Sequence, residues 1–366
     1  MIRKIWAVIL FVTIAQIVWA QNLSADKIKL LVDTITANKS FNGVILIAEN
    51  GKPVYETAIG FRTYADKKSL KKTDIFELAS VSKQFCALVI MQLKEKGLLK
   101  YDDLVEKYLD IPYKGISIRN LLTHTSGLPD YQQIMDQNWD KRKVANNNDI
   151  IAYLNKYHPP RLFEPGKKYT YSNTGYVLLA SIAEKASGRD FIEYCNTEIF
   201  QKLGMKHTAI RTLEEKAATQ NFAIGHMYAN DRSGFIRADS FPSSNYTIWL
   251  GNRKGPGRIS STAQDLLKWD IAIRNNLLIS KETLQEAYTP MKLNDGTNSN
   301  YGFGLELVFK NDALQNVWHN GDNPGYKTLI MRDLIYQRTL IILTNNDAID
   351  MNAIIGACTR ILNKAS

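Results

Sequence analysis

Cysteine and histidine are scarce in this chain. Three cysteines in 366 residues cannot build a disulfide framework, and five scattered histidines give no metal-ligand spacing. No charge block dominates either. The 46 basic residues exceed 36 acidic ones, for a net charge of +10, yet they are dispersed among acids, as in Lys94-Glu95-Lys96. The clusters Lys67-Lys68, Lys71-Lys72 and Lys141-Arg142-Lys143 lack interleaved aromatics, so a solvated surface is expected and no nucleic-acid groove. Missing too are Gly-x-Ser-x-Gly, His-Glu-x-x-His, Gly-x4-Gly-Lys and Gly-x-Gly-x-x-Gly. Their absence argues against an α/β-hydrolase, a zinc protease, and nucleotide or dinucleotide enzymes. No feature asks for a metal or an organic cofactor.

The long apolar run lies at the start. Ile5 to Val18 follows Arg3 and Lys4 and ends at Val18-Trp19-Ala20, the layout of a secretory signal over residues 1–20. It is short for a membrane span. The expectation is a periplasmic or secreted protein that meets a membrane only through an uncleaved leader. Residues 21–366 then read as a single domain.

Within that domain Ser24 is expected to cap a helix through Ile28, Leu31 and Val32. The apolar run Phe41–Ala48, rich in β-branched residues, the turn Asn50-Gly51 and the return Val54–Ile59 predict a hairpin. Phe85, Leu88, Val89 and Leu93 at helical spacing predict a helix over 81–96, stopped by Gly97. Helical segments dominate to about residue 290, one of them Val177 to Ser187, closed by Gly188. Strand character returns at Tyr301–Phe309, Asn316–His319, Tyr326–Met331 and Thr339–Leu343, before a final helix from about Asp347 to Leu362. The economical architecture is an α/β (α+β) fold: one antiparallel sheet flanked by helices and built from both chain ends, about 23–100 and 290–366. A helical part, about 101–289, is inserted between them.

Three Ser-x-x-Lys segments occur, at Ser24/Lys27, Ser69/Lys72 and Ser80/Lys83. Only Ser80 opens a strongly amphipathic helix. Residues three apart on a helix are neighbours, so the Lys83 amine can reach the Ser80 hydroxyl. The helix N-terminus adds unpaired N–H groups that favour a developing oxyanion. Lysine is a poor base at its ordinary pKa, so desolvation or a cationic neighbour must lower it. The bland reading is a serine that merely caps its helix.

Tyr171-Ser172-Asn173 follows a Pro165-Gly166 turn and precedes an apolar helix, unlike the Tyr-x-Asn matches at Tyr153 and Tyr228. A phenol on such a loop can point into a cleft, and beside an ammonium its pKa is expected to fall. Asn173 offers an amide to a substrate carbonyl. His319-Asn320-Gly321 ends a short strand; Gly321 allows a ligand close to the backbone, and the Asp322 N–H is a candidate oxyanion donor. His124, His158, His207 and His226 read as structural, and Cys86, Cys195 and Cys358 as buried apolar side chains, with a single disulfide left open.

Taken in order, these elements resemble the serine β-lactamase and penicillin-binding-protein superfamily, in its class C-like and esterase branch. The likeness spans about residues 40–345 and includes Phe76–Lys83, Ile118–Pro129, Pro165–Tyr176, Ser261–Leu266 and Tyr301–Gly304. It implies a cleft between sheet and helical part, with Ser80 as acylated nucleophile and Lys83 and Tyr171 as the proton-transfer pair. Asn173 would orient the substrate, His319 would stand where the third motif carries Lys or His, and the Ser80 and Asp322 N–H groups would form the oxyanion hole. A neutral His319 weakens recognition of a substrate carboxylate, so a small-molecule ester, amide or peptide is expected. The alternatives are a D-alanyl-D-alanine carboxypeptidase, a class C-like β-lactamase, or an acylated sensor that does not turn over.

Overall fold

The computed structural model describes residues 23–229 and 234–362; the expected leader, 1–20, lies outside them. Helix α1 (Ala25–Thr36) is capped by Ser24, whose hydroxyl accepts the Lys27 N–H. The hairpin β1 (Gly43–Glu49) and β2 (Lys52–Ile59) follows. Asn50 and Gly51 both hold positive φ, 51° and 74°, as a two-residue hairpin turn requires. Strand β3 (Phe76–Glu77) enters a 3-10 turn, Ala79–Ser82, and then helix α2 (Lys83–Glu95).

Helices dominate the middle. Helix α3 (Asn173–Ser187) ends on Gly188 in the left-handed region, as expected. Strand β4 (Ile259–Ser261) pairs antiparallel with β3, and α4 (Ala263–Arg274) follows. The last part supplies β5 (Glu306–Lys310), β6 (Ala313–Asn323), β7 (Tyr326–Asp333), β8 (Arg338–Thr344) and α5 (Met351–Leu362). The main sheet has the order β5-β6-β7-β8-β1-β2, antiparallel throughout.

Both chain ends therefore build one sheet, with helices on each face. Ile45, Ile47, Leu340 and Ile342 pack with α1 and α5 residues such as Leu31, Ile355 and Cys358. Val44, Leu46, Ile341 and Leu343 turn the other way, onto the cluster holding Phe85, Leu88 and Leu266. Alternate side chains reach opposite faces, and each face is covered, which is why β1 and β8 are buried at every position. Helix α4 is bound to the sheet by buried Asp270, which meets Arg332 Nε at 2.8 Å, Arg274 Nε at 3.0 Å and the Thr339 hydroxyl at 2.6 Å. Three donors offset the desolvation of that carboxylate.

One expected strand is shorter than its pattern. Tyr301–Leu305 turns instead of extending: the Gly302 N–H donates to the Leu305 carbonyl at 2.8 Å, and Gly304 holds φ 73°. A Cβ on Gly304 would stand 2.8 Å from the Lys83 carbonyl oxygen, so this tight turn lets the chain pass against the start of α2. The three cysteines are buried and free. Among the described residues no helix is long and apolar enough to cross a membrane.

Candidate active site

Ser80 does not cap a helix. Neither the Ala79–Ser82 turn nor α2 has a side-chain cap. The turn is held from three sides instead. The Leu78 N–H donates to the Ile259 carbonyl at 2.8 Å, the Thr328 hydroxyl donates to the Leu78 carbonyl at 2.7 Å, and Ile259 N–H reaches Ser82 Oγ at 3.2 Å. Ala79 carries φ 48°, a conformation that costs a non-glycine residue energy and that these bonds sustain.

Lys83 is fully buried. Its Nζ lies 3.0 Å from Ser80 Oγ, 2.9 Å from Asn173 Oδ1 and 3.0 Å from the Pro256 carbonyl oxygen. Burial, then the Arg253 guanidinium, hold its pKa well below the usual ammonium range, against the opposing pull of Cys86 and Asp130. The expected activation of this lysine has both of the sources that the sequence left open, desolvation and a cationic neighbour.

Tyr171 stands over the same amine, with Lys83 Nζ 4.7 Å from its ring centroid. The expected fall in its pKa does not occur. Although 39% of the residue is exposed, burial of the phenol pushes its pKa up, against a hydrogen bond with Ser80 that pulls it down. A lysine whose own charge is suppressed offers little electrostatic help. The loop bearing Tyr171 is gripped by His124, whose Nδ1 accepts the Ser172 N–H at 3.1 Å and whose carbonyl accepts the Thr170 N–H at 2.9 Å. Ser172 then caps α3, which fixes Asn173 at the first turn.

His319 is buried, and both ring nitrogens are occupied within the protein. Nδ1 is 2.5 Å from the Asn320 carbonyl, which can only accept, so Nδ1 carries the proton; Nε2 then accepts from the Tyr301 hydroxyl at 2.9 Å. Burial, with Lys83 nearby, lowers its pKa to about 3, so the ring is neutral at ordinary pH. Its ring centroid is 6.2 Å from that of Tyr171. Gly321 has no room for a side chain: a Cβ would stand 2.2 Å from both the Leu78 carbonyl oxygen and Thr328 Oγ1. Asp322 turns its carboxylate to Lys327.

Ser80, Asn173 and Asp322 line one cleft, together with Ala79, Glu77, Tyr131, Tyr246, Arg253 and Pro256. Of the seven residues singled out from the sequence, Ser80, Asn173 and Asp322 thus line the cleft, Lys83 bonds Ser80, and Tyr171 lies over the Lys83 amine. His319 stands near the Tyr171 ring, and Gly321 packs on the Leu78–Ala79 turn. Four supporting residues were missed. By sequence His124 reads as structural and Tyr301 as a strand start, although both stand in segments that carry the resemblance. Glu77 stands in such a segment as well, Phe76–Lys83, whereas Arg253 has no local signal. Burial alone would raise the Glu77 pKa, but Lys216, Arg258 and Arg253 hold it at about 2. Among the described residues no group of three His, Cys, Asp or Glu side chains could hold a metal ion.

A buried lysine bonded to a serine at a cleft beside an antiparallel sheet, under a tyrosine and an asparagine, defines the serine hydrolases of the β-lactamase and penicillin-binding-protein kind. The family profile Beta-lactamase matches residues 28–354. Penicillin-binding protein 4* of Bacillus subtilis is 39% identical over 323 residues, covering 87% of this chain and 71% of that protein. A D-aminopeptidase of Brucella anthropi is 28% identical over 296 residues, covering 79% of this chain and 53% of its own length. The octameric penicillin-binding protein homologue of Pyrococcus abyssi superposes with a TM-score of 0.78 at 26% identity, over 93% of this chain and 77% of that one. The chain belongs to the Beta-lactamase family.

Proposed function

We propose that this protein is an exported serine hydrolase that cleaves an ester or amide through an acyl-enzyme on Ser80. The observation that carries the reading is the environment of Lys83 Nζ. Two of its three partners, Asn173 Oδ1 and the Pro256 carbonyl, can only accept. A neutral amine has two N–H groups for them and one lone pair, which is left for the Ser80 proton across 3.0 Å. In acylation Ser80 Oγ bonds to the substrate carbonyl carbon as its proton moves to Lys83. The bond to the leaving group then breaks, and the leaving atom takes up a proton relayed through Tyr171. Water attack on the ester releases the acid and restores Ser80.

Asn173 is suited to orient the acyl carbonyl, and the Ser80 and Asp322 N–H groups to receive the oxyanion. A neutral His319 favours esters and small amides over substrates that need a fixed cation at that position. The penicillin-binding relative at 39% identity supports a D,D-peptidase as the second reading. Turnover of an aryl ester, a penicillin and a D-Ala-D-Ala peptide, measured side by side, ranks the two. Labelling with a fluorophosphonate should modify the peptide that contains Ser80. Ester turnover that persists in Ser80→Ala would remove the nucleophile assignment.

A further inference from the structure

We propose that Arg253 receives a carboxylate of the substrate, so that the acyl donor processed at Ser80 is an anionic ester or amide. The inference rests on the reading of Ser80 as nucleophile and adds to it the charge of the substrate. Arg253 lies on the loop that also presents Pro256 to Lys83, and it lines the Ser80 cleft as well as a second cavity beside Asn147 and Arg211. Only 9% of the residue is exposed, yet its Nε and Nη1 are buried without a hydrogen-bond partner. A guanidinium has five N–H donors in a rigid fork, and leaving them unpaired away from water is costly. The Tyr246 ring, 5.9 Å from its central carbon, covers it without accepting a hydrogen bond.

The carboxylates around it are already engaged. Glu77 bonds Lys216 and accepts the Asn323 amide at 3.0 Å. Asp322 pairs with Lys327, and Asp130 Oδ1 caps a helix by accepting the Gln132 N–H at 2.8 Å. Near Glu77 three cations, Lys216, Arg258 and Arg253, gather about one buried anion. That excess of positive charge, with the Nε and Nη1 donors unfilled on a residue that lines the Ser80 cleft, is complementary to a carboxylate. It also disfavours a substrate with a free ammonium at the same place. His319, neutral and bonded internally, does not supply this contact; the cation comes from the loop that carries Pro256.

Two pairs of aryl esters test the idea and locate the carboxylate. On the acyl side, p-nitrophenyl hemisuccinate is compared with p-nitrophenyl butyrate; on the leaving-group side, 3-acetoxybenzoate with 3-acetoxybenzamide. The wild-type protein should prefer the anionic member of at least one pair by about tenfold or more in kcat/KM, the scale of a charged hydrogen bond. Arg253→Gln should abolish the preference, and Arg253→Lys should retain part of it. Because both members of a pair share the same catalytic groups, their ratio is insensitive to a general loss of rate. Calorimetric titration of Ser80→Ala with the four compounds reads the same preference as affinity, without turnover. No anionic preference in either pair, or one that survives Arg253→Gln, overturns the proposal. Ester turnover by Ser80→Ala would instead count against the nucleophile and leave the Arg253 ratio readable.

Discussion

The carbonyl oxygen of Pro256 accepts a hydrogen bond from Lys83 Nζ at 3.0 Å, which ties the loop carrying Arg253 to the amine beside Ser80. Position and electrostatics are thereby joined: the loop that orients the lysine also brings the cation that depresses its pKa.

The first prediction concerns pH. A base must be deprotonated to act, so kcat/KM rises through the Lys83 pKa as pH increases. Since that pKa is held well below 10.5, the rising limb should be complete far below that pH. Arg253→Gln removes one of its two depressing causes and should move the limb to higher pH. A pH–rate profile of a neutral aryl ester measures this, and an unmoved limb would refute the coupling.

Gly321→Ala should be damaging out of proportion to one methyl group. The new Cβ meets the Leu78 carbonyl and Thr328 Oγ1 at 2.2 Å, the two atoms that anchor the turn before Ser80. Relief requires β6 to move away from that turn. A loss of roughly 1–3 kcal/mol in unfolding free energy is expected, with at least a tenfold fall in kcat/KM. Denaturant titration and ester kinetics report the two effects separately.

His319→Ala leaves the Tyr301 hydroxyl without its acceptor in a buried setting. Stability should drop by about 1–3 kcal/mol for the orphaned group. The pKa of about 3 also means that protonation of His319 produces no activity limb between pH 5 and 8. Imidazole NMR shifts that titrate near 6.5 at this residue would contradict the internal bonding scheme.

Glu306 supplies a test on the stability side. Burial raises its carboxyl to about 7, against a hydrogen bond from the Tyr169 hydroxyl. The folded state therefore holds a proton that the unfolded state releases near 4.5. Its contribution is complete below that pH and is lost as pH climbs to about 7, a decline of roughly 1–3 kcal/mol. Glu306→Gln should flatten this part of the stability profile, read from thermal midpoints between pH 4 and 8.

Much of the fold was legible because its signals are local. Asn50-Gly51 demands positive φ at both positions, and Gly188 stops α3 by the same freedom. Ser80 and Lys83 were legible because three positions along a turn bring them into contact. Strand pairing was less accessible: β1 lies between β2, its neighbour in the chain, and β8, far along it. Apolar alternation names the faces of a strand, never its partner. Tyr301–Gly304 looked like strand since aromatics favour one, but the close approach to α2 required a turn. The direction of the Tyr171 pKa depends on burial by distant segments, and Arg253 sits in Gly251-Asn252-Arg253-Lys254-Gly255, indistinguishable by pattern from a solvated loop.

The junction of β1 with β8 also governs how the molecule can come into being. Gly43 faces Thr344 and Glu49 faces Arg338, so the first strand waits for nearly the entire polypeptide before its central neighbour exists. Until then one flank of the nascent hairpin stays unzipped. Pairing two strands so far apart in the chain makes the closing of this sheet a slow step of folding, because the loop entropy is spent before the contacts reward it.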